Sequence, residues 1–193
     1  MVCSPALNMF LCREMKNSLT LFLDRDGVIN RRMPGEYVKH PDEFIPEPGM
    51  PEALRLLSGL FGHIVVVTNQ AGIGKGVMDE PDLDRVHRKM FEIVQAGGGR
   101  IDRVYYCPHR PDAGCDCRKP ATGMAFQAKA DFPDIDFSRA WIVGDSVADM
   151  KFGLALGMKT VLITGKAEEA GLLEVMEIDY RFGALLDFAR FLT

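Results

Sequence analysis

Five short apolar runs recur along the chain, each followed by a longer segment whose apolar residues return every three or four positions. The runs are "LTLFL" (19–23), "HIVVVT" (63–68), "RVYY" (103–106), "AWIVG" (140–144) and "KTVLI" (159–163). Most are unbroken by polar residues, and they fit strands buried on both faces. The segments between them read as helices. "MPEALRLLSGLF" has a proline near its start, and "DEPDLDRVHRKMFEIVQAGGG" runs from an acidic first turn to a glycine stop. "TGMAFQAKADF" follows with Thr122 as its cap, and "SVADMKFGLALGM" opens with Ser146 and Asp149 spaced as a capping box. "GALLDFARFL" is a last amphipathic helix. Strands alternating with helices need crossover connections, and these cover a parallel sheet on both faces. The expected fold is α/β, a doubly wound parallel sheet.

A chain of 193 residues, 47% of them hydrophobic, has enough apolar mass for one domain with a core of its own. We expect that domain to span residues 18–193, with no linker or repeat inside it. Met15 opens "MKNSLTLFLDRDG" as a natural start would, so residues 1–14 are expected to be accessory, within an N-terminal extension drawn at 1–17 ahead of the domain. The extension lacks a basic leader and a continuous apolar stretch, so it is a poor signal peptide. No run approaches the length of a membrane span. A net charge of −4 offers no general attraction for nucleic acid or an anionic membrane. The chain is therefore expected to be a cytoplasmic monomer. An anionic small substrate would have to be held by local positive groups.

In doubly wound sheets ligands sit beyond the carboxyl ends of the strands. The first run ends in "DRDG", which delivers Asp24 and Asp26, and the second ends in Thr68 followed by "NQAGIGKG". The fourth ends in "GDSVAD" and delivers Asp145, and the loop after the third delivers Arg118 and Lys119. Carboxylates gathered on one rim repel unless a cation holds them. Oxygen-only ligands suit Mg²⁺, which also binds phosphate. A carboxylate nucleophile attacking a phosphoryl group needs that neutralisation. Lys119 and Thr68 would serve the other phosphoryl oxygens, because phosphoryl transfer is mostly positioning and charge stabilisation. Asp26 is placed to act as general acid on the leaving oxygen and then as base toward water. Asp149 reads as a helix cap rather than a metal ligand.

The loop "CPHRPDAGCDCRKP" places Cys107 and His109 two apart, and Cys115 and Cys117 likewise. In extended backbone residues i and i+2 face one side, so each pair can grip the same metal. Three thiols and an imidazole, with no open position, describe a structural tetrahedral Zn²⁺ site spanning 107–117. Its use would be to pin Arg118 and Lys119 at the rim. "GIGKG" fails as a P-loop, since no glycine stands five residues before Gly74 and a glycine follows Lys75. A phospho-accepting receiver domain fails because its accepting aspartate would stand where this chain has Cys107. A zinc-stabilised interaction module with a vestigial site remains a remote alternative.

"FLDRDGVIN", "VVVTNQ", "RKP" and "VGDSVADM" resemble, in order, the four motifs of the haloacid dehalogenase superfamily of phosphatases. The resemblance covers roughly residues 19–165. It implies Asp24 as the nucleophile, Asp26 as the acid/base, and Thr68 with Lys119 on the phosphate. Mg²⁺ would be held by Asp24, Asp145 and the Asp26 backbone, and Asn69, Gln70 and Arg118 would contact substrate. "CPH…CDCRKP" is similar to the zinc loop of a group acting on D-glycero-D-manno-heptose 1,7-bisphosphate or histidinol phosphate. "TNQAGIGKG" and "CRKPATGM" look more like the former, although the spacer "RPDAG" is as short as in the latter. Between Asp26 and Thr68 there is room for a flap (30–44) and one helix, so no separate cap domain is expected. Arg31, Arg32 and Tyr37 of the flap are candidate specificity contacts, and Glu36 is the one carboxylate there suited to the amine of histidinol phosphate.

Overall fold

All five apolar runs are strands in the structure, a computed structural model that describes residues 19–164 and 169–193. The expected extension at 1–17, with Cys3 and Cys12, lies outside the described residues. The strands are β1 (Thr20–Leu23), β2 (His63–Asn69), β3 (Arg103–Cys107), β4 (Ala140–Gly144) and β5 (Lys159–Ile163). A sixth, β6 (Tyr180–Phe182), extends the sheet. All pairings are parallel, and the order is β3-β2-β1-β4-β5-β6. The chain works outward from β1 to β3, then returns to the other side of β1 at β4. The crevice of such a sheet opens at that reversal, beyond the ends of β1 and β4.

Seven helices connect and flank the described strands: α1 (Met50–Ser58), α2 (Ala71–Gly74), α3 (Glu80–Ala96), α4 (Gly123–Asp131), α5 (Val147–Ala155), α6 (Ala170–Glu174) and α7 (Leu185–Leu192). Asp79 and Asp82 cap α3 reciprocally, and Ser146 and Asp149 do the same for α5, as the capping-box spacing predicts. Thr122 precedes α4, but its side chain makes no capping bond, a correction to the sequence reading. Its backbone carbonyl instead accepts from Ala125, at 2.9 Å.

Strand alternation splits the core in two. Leu21, Leu23, Ile64, Val66 and Val143 face α1, α3 and α7, meeting Leu54, Leu57, Met90 and Phe188. Phe22, Val65, Val67 and Ile142 face the other way, onto Met124, Ala125 and Phe152. Burial of each such side chain contributes about 1.5–3 kcal/mol, and the cost is backbone order at the strand ends, where the loops must be built.

Between β1 and β2 lie only the flap and α1. The flap is fastened at both ends. Asn30 bridges to Asp26 and Pro46, and Val38 and Phe44 are buried in the core. Tyr37 packs over Gly72, where a Cβ would come within 3.0 Å of the ring. Among the described residues no helix is long and apolar enough to cross a membrane.

Candidate active site

Asp24 follows β1 directly, and its N–H donates to Val143 of β4 at 2.9 Å, so β1 and β4 hold Asp24 and Asp145 side by side. Gly27 lets them close up. Its φ of +103° suits glycine alone, and a Cβ there would stand 1.9 Å from Asp145 Oδ2. Lys119 reaches the same spot from the far side of β2. Its Nζ donates to Asp24 Oδ1 (2.7 Å), Asp149 Oδ1 (2.6 Å) and the Val67 carbonyl (2.6 Å). The Asn69 amide clamps the Lys119 backbone, accepting from its N–H at 3.0 Å and donating to its carbonyl at 3.1 Å.

These groups crowd one buried place. Desolvation pushes Asp24 up to about 6, with Lys119 opposing and Asp149 and Asp26 adding to the rise. Asp145 is pushed further, to about 8, by burial and then by Asp24 and Asp149, with Arg32 and Lys119 offsetting part. Burial would drive the Lys119 charge off, but Asp149 and Asp24 outweigh it and hold the ammonium above its ordinary range. Asp26 runs the other way: against its own desolvation, Arg25, Asn30 and Gln70 hold it below the usual carboxylate value.

Ligand atoms of Asp24, Asp145 and Asp149 lie within 4.8 Å of one another, a set suited to a cation. The three are not equivalent. Asp149 gives Oδ1 to Lys119 and Oδ2 to Ser146, so both oxygens are engaged. Asp145 Oδ2 is buried without a hydrogen-bond donor, with the Arg32 guanidinium 3.6 Å away. Crowded carboxylates whose proton affinity burial raises, one of them with an unsatisfied oxygen, fit a hard divalent ion. The capping role read for Asp149 is present, but the same side chain also holds Lys119. Gly144 makes room for it, since a Cβ there would meet Asp149 Cβ at 2.2 Å.

A cavity of about 390 Å³ opens over this floor, enough for a small ligand. Asp24, Asp26, Thr68, Asn69, Arg118, Lys119 and Asp145, all singled out from the sequence, line it. Gln70 does not. It is fully buried, and its amide donates to Asp26 Oδ2 and Thr68 Oγ1, both at 2.8 Å, so it ties two site residues together from behind. From the flap, Arg32, Glu36 and Tyr37 reach the cavity and Arg31 does not. Lys75 also lines it, 5.3 Å above the Tyr37 ring. Arg118 NH1 is buried with no hydrogen-bond partner. Arg25 and His87, behind Asp26, were missed. An arginine between two aspartates reads as solvated, although His87 lies four after Leu83 and three before Met90, on the inner face of α3.

The cysteine loop closes as its spacing predicts. Cys107 Sγ lies 3.5 Å from Cys115 and 3.6 Å from His109 Nδ1, and Cys117 lies 3.5 Å from Cys115 and 3.2 Å from His109 Nδ1. The edges of a tetrahedron built on Zn–S and Zn–N bonds are about 3.5–3.8 Å, so the four ligand atoms nearly outline one. None of the three thiols is in a disulfide. Gly74 N–H donates to the Pro108 carbonyl at 2.8 Å, and a Cβ on Gly74 would stand 2.7 Å from that oxygen. Gly74 of "GIGKG" thus docks α2 on the cysteine loop.

A buried lysine bonded to an aspartate at the end of the first strand, with further carboxylates beside it, is an arrangement suited to phosphoryl transfer at the crevice of a doubly wound sheet. Comparisons agree. The HAD-hydrolase-like family model matches residues 116–185. A D-glycero-beta-D-manno-heptose-1,7-bisphosphate 7-phosphatase of Pseudomonas aeruginosa is 44% identical over 79% of this chain and 84% of its own. A D-glycero-alpha-D-manno-heptose-1,7-bisphosphate 7-phosphatase of Mycobacterium tuberculosis is 36% identical, with 88% of each covered. The crystal structure of a D,D-heptose 1,7-bisphosphate phosphatase from B. bronchiseptica, complexed with magnesium and phosphate, superposes with a TM-score of 0.82. It is 33% identical over 90% of this chain and 97% of its own. The chain belongs to this haloacid dehalogenase-like family of phosphatases.

Proposed function

We propose that the chain removes the 7-phosphate of D-glycero-D-manno-heptose 1,7-bisphosphate, as a Mg²⁺-dependent hydrolase working through a phosphorylated Asp24. The observation that carries the chemistry is the Lys119 Nζ contact to Asp24 Oδ1 at 2.7 Å on the cavity floor. Asp24, Asp145 and the Asp26 backbone carbonyl would hold Mg²⁺, which would supply positive charge against these carboxylates and the phosphoryl group. Lys119 keeps Asp24 ionised and aimed, and with Thr68 it takes up charge that develops on the transferring group. Asp26 protonates the leaving sugar oxygen and later takes a proton from water. The arriving anion adds a like charge beside Asp26 and raises its proton affinity, against the donors that lower it in the free site.

A second phosphate makes sense of the spare cations. Arg118 NH1, buried without a partner, and Lys75 face the same cavity as Lys119. Cys107, His109, Cys115 and Cys117 would hold Zn²⁺, which would fix the loop that carries Arg118. Three thiols outside any disulfide in that set suit a reducing cytoplasm. The histidinol-phosphate reading gains nothing from the relatives described. Glu36, its one candidate partner for the amine, lines the cavity and is paired with Lys39 at 3.5 Å. The test is kcat/KM with Mg²⁺ for both anomers of the heptose bisphosphate and for histidinol phosphate. The heptose ester is expected to lead, with the 1-phosphate retained in the product. A histidinol phosphate value at least tenfold higher would reverse the assignment.

A further inference from the structure

Among the described residues Arg25 is the largest side chain that the fold buries completely, although it stands between two aspartates at the rim. Its guanidinium turns back beneath the site. NH2 donates to both oxygens of Asp26 at 2.9 Å, and Nε donates to Oδ1 at 3.2 Å. On the opposite side NH1 lies 3.4 Å from Nε2 of His87, a residue of α3 that is itself buried. Burial, together with the Arg25 charge, holds His87 down at about 3, so its ring is neutral. A neutral ring facing a guanidinium accepts at Nε2 and keeps its proton on Nδ1.

Stability does not account for this arrangement. A buried ion pair repays its desolvation poorly, and apolar residues often replace one without loss. What a guanidinium offers that they do not is geometry: a planar fork that fixes the plane of a carboxylate as well as its position. Asn30 at 3.0 Å holds Oδ1 and Gln70 at 2.8 Å holds Oδ2, one donor each, whereas the Arg25 guanidinium alone bonds both oxygens of Asp26.

We propose that Arg25, aimed by His87, is a positioning residue that sets the Asp26 carboxylate against the leaving oxygen of the ester. The inference rests on the acid/base reading of Asp26 given above. A general acid matters in proportion to the leaving group's need for a proton. A sugar alkoxide needs one, and p-nitrophenolate departs without it. A misaimed acid therefore slows sugar ester cleavage and spares the aryl ester, whereas a damaged fold or a displaced Lys119 slows both.

The experiment compares kcat/KM for the heptose bisphosphate and for p-nitrophenyl phosphate in Arg25→Lys, His87→Leu and His87→Gln, with Asp26→Asn as reference. Arg25→Lys keeps the charge and loses the fork. It is expected to lower the sugar value about 30–100-fold and the aryl value less than about threefold. His87→Leu should do the same at about tenfold, and His87→Gln, whose amide oxygen can replace Nε2 as acceptor, should return to within about twofold of wild type. If Arg25→Lys does not fold, the two His87 variants decide alone. Equal losses on both esters, or no loss on the sugar ester, would overturn the proposal. If Asp26→Asn shows the ester selectivity and the Arg25 and His87 variants do not, only the positioning role falls. If Asp26→Asn lacks it too, the acid/base reading falls with it.

Discussion

Removing the divalent cation should make the protein lose stability as pH rises, and Asp145 should carry most of that loss. The carboxyl of Asp145 is held at about 8 in the folded metal-free protein against an ordinary 3.8. Between those values the native state binds a proton that the unfolded chain has released, so unfolding becomes easier as pH rises toward the folded pKa. From about pH 5 to 8 that is roughly three units at 1.36 kcal/mol each, about 4 kcal/mol. At this chain length each kcal/mol moves Tm by about 2–4 °C, giving a fall of about 8–16 °C. Asp24, held at about 6, adds to the loss over the lower part of the window. His87, held at about 3, opposes it up to the ordinary histidine value, because the unfolded chain there binds the extra proton. The clean quantity is therefore the difference between wild type and Asp145→Asn, in which the shared His87 contribution cancels. Thermal unfolding of both proteins after chelation, followed from pH 5 to 8.5, should show wild type losing ground to the variant by the amount above. Saturating Mg²⁺ should abolish the trend and raise the wild-type Tm. Parallel curves in the metal-free state would refute the reasoning, since the crowded carboxylates would then not be waiting for a cation.

Asp24→Asn should abolish turnover with the fold intact by circular dichroism, because an amide is a poor nucleophile, while Asp26→Asn should slow the sugar ester by about 10²–10⁴-fold and leave Mg²⁺ binding by calorimetry largely unchanged. Elemental analysis should find about one zinc per chain, resistant to mild chelation, and Cys115→Ser should raise KM for the bisphosphate more than it lowers kcat. Gly27→Ala should lower Mg²⁺ affinity and turnover together, by at least about tenfold in kcat/KM, because its Cβ would displace the Asp145 carboxylate.

Asp24, Asp26, Thr68, Lys119 and Asp145 were legible because each stands at the carboxyl end of a strand, just past one, or past a loop that follows one, where doubly wound sheets place their ligands. The strands themselves were legible because burial on both faces leaves no polar alternation. β6 escaped notice for the opposite reason: three edge residues, "YRF", carry too short an apolar signal to stand out from a loop. Helix α2 holds two glycines in four residues, a composition that argues against a helix, and contacts distant in sequence flank it, Gly72 against Tyr37 and Gly74 against Pro108. Strand order, the second bond of Asp149 and the burial of Arg25 are decided by contacts distant in sequence. A capping box reads the same whether or not a lysine thirty residues upstream will share the carboxylate.

The cysteine loop looked, from its sequence, like the sole device for holding Arg118 and Lys119 at the rim. The folded chain divides that labour. Lys119 is held at its backbone by the two bonds to Asn69 and at its tip by Asp24, Asp149 and the Val67 carbonyl, all on elements outside the loop. Arg118 has no such set, and its NH1 is unpartnered. Its place depends on the chain between Cys117 and the Gly123 N–H bond to Asp116, and so on whatever fixes the four metal-binding side chains. Slackening the loop should therefore leave the reacting phosphate gripped and loosen the remote one, which is a ground-state contact made equally in the transition state. That is why the effect of Cys115→Ser is assigned to KM, and an equal fall in kcat would mean that the metal loop, rather than Asn69, sets Lys119.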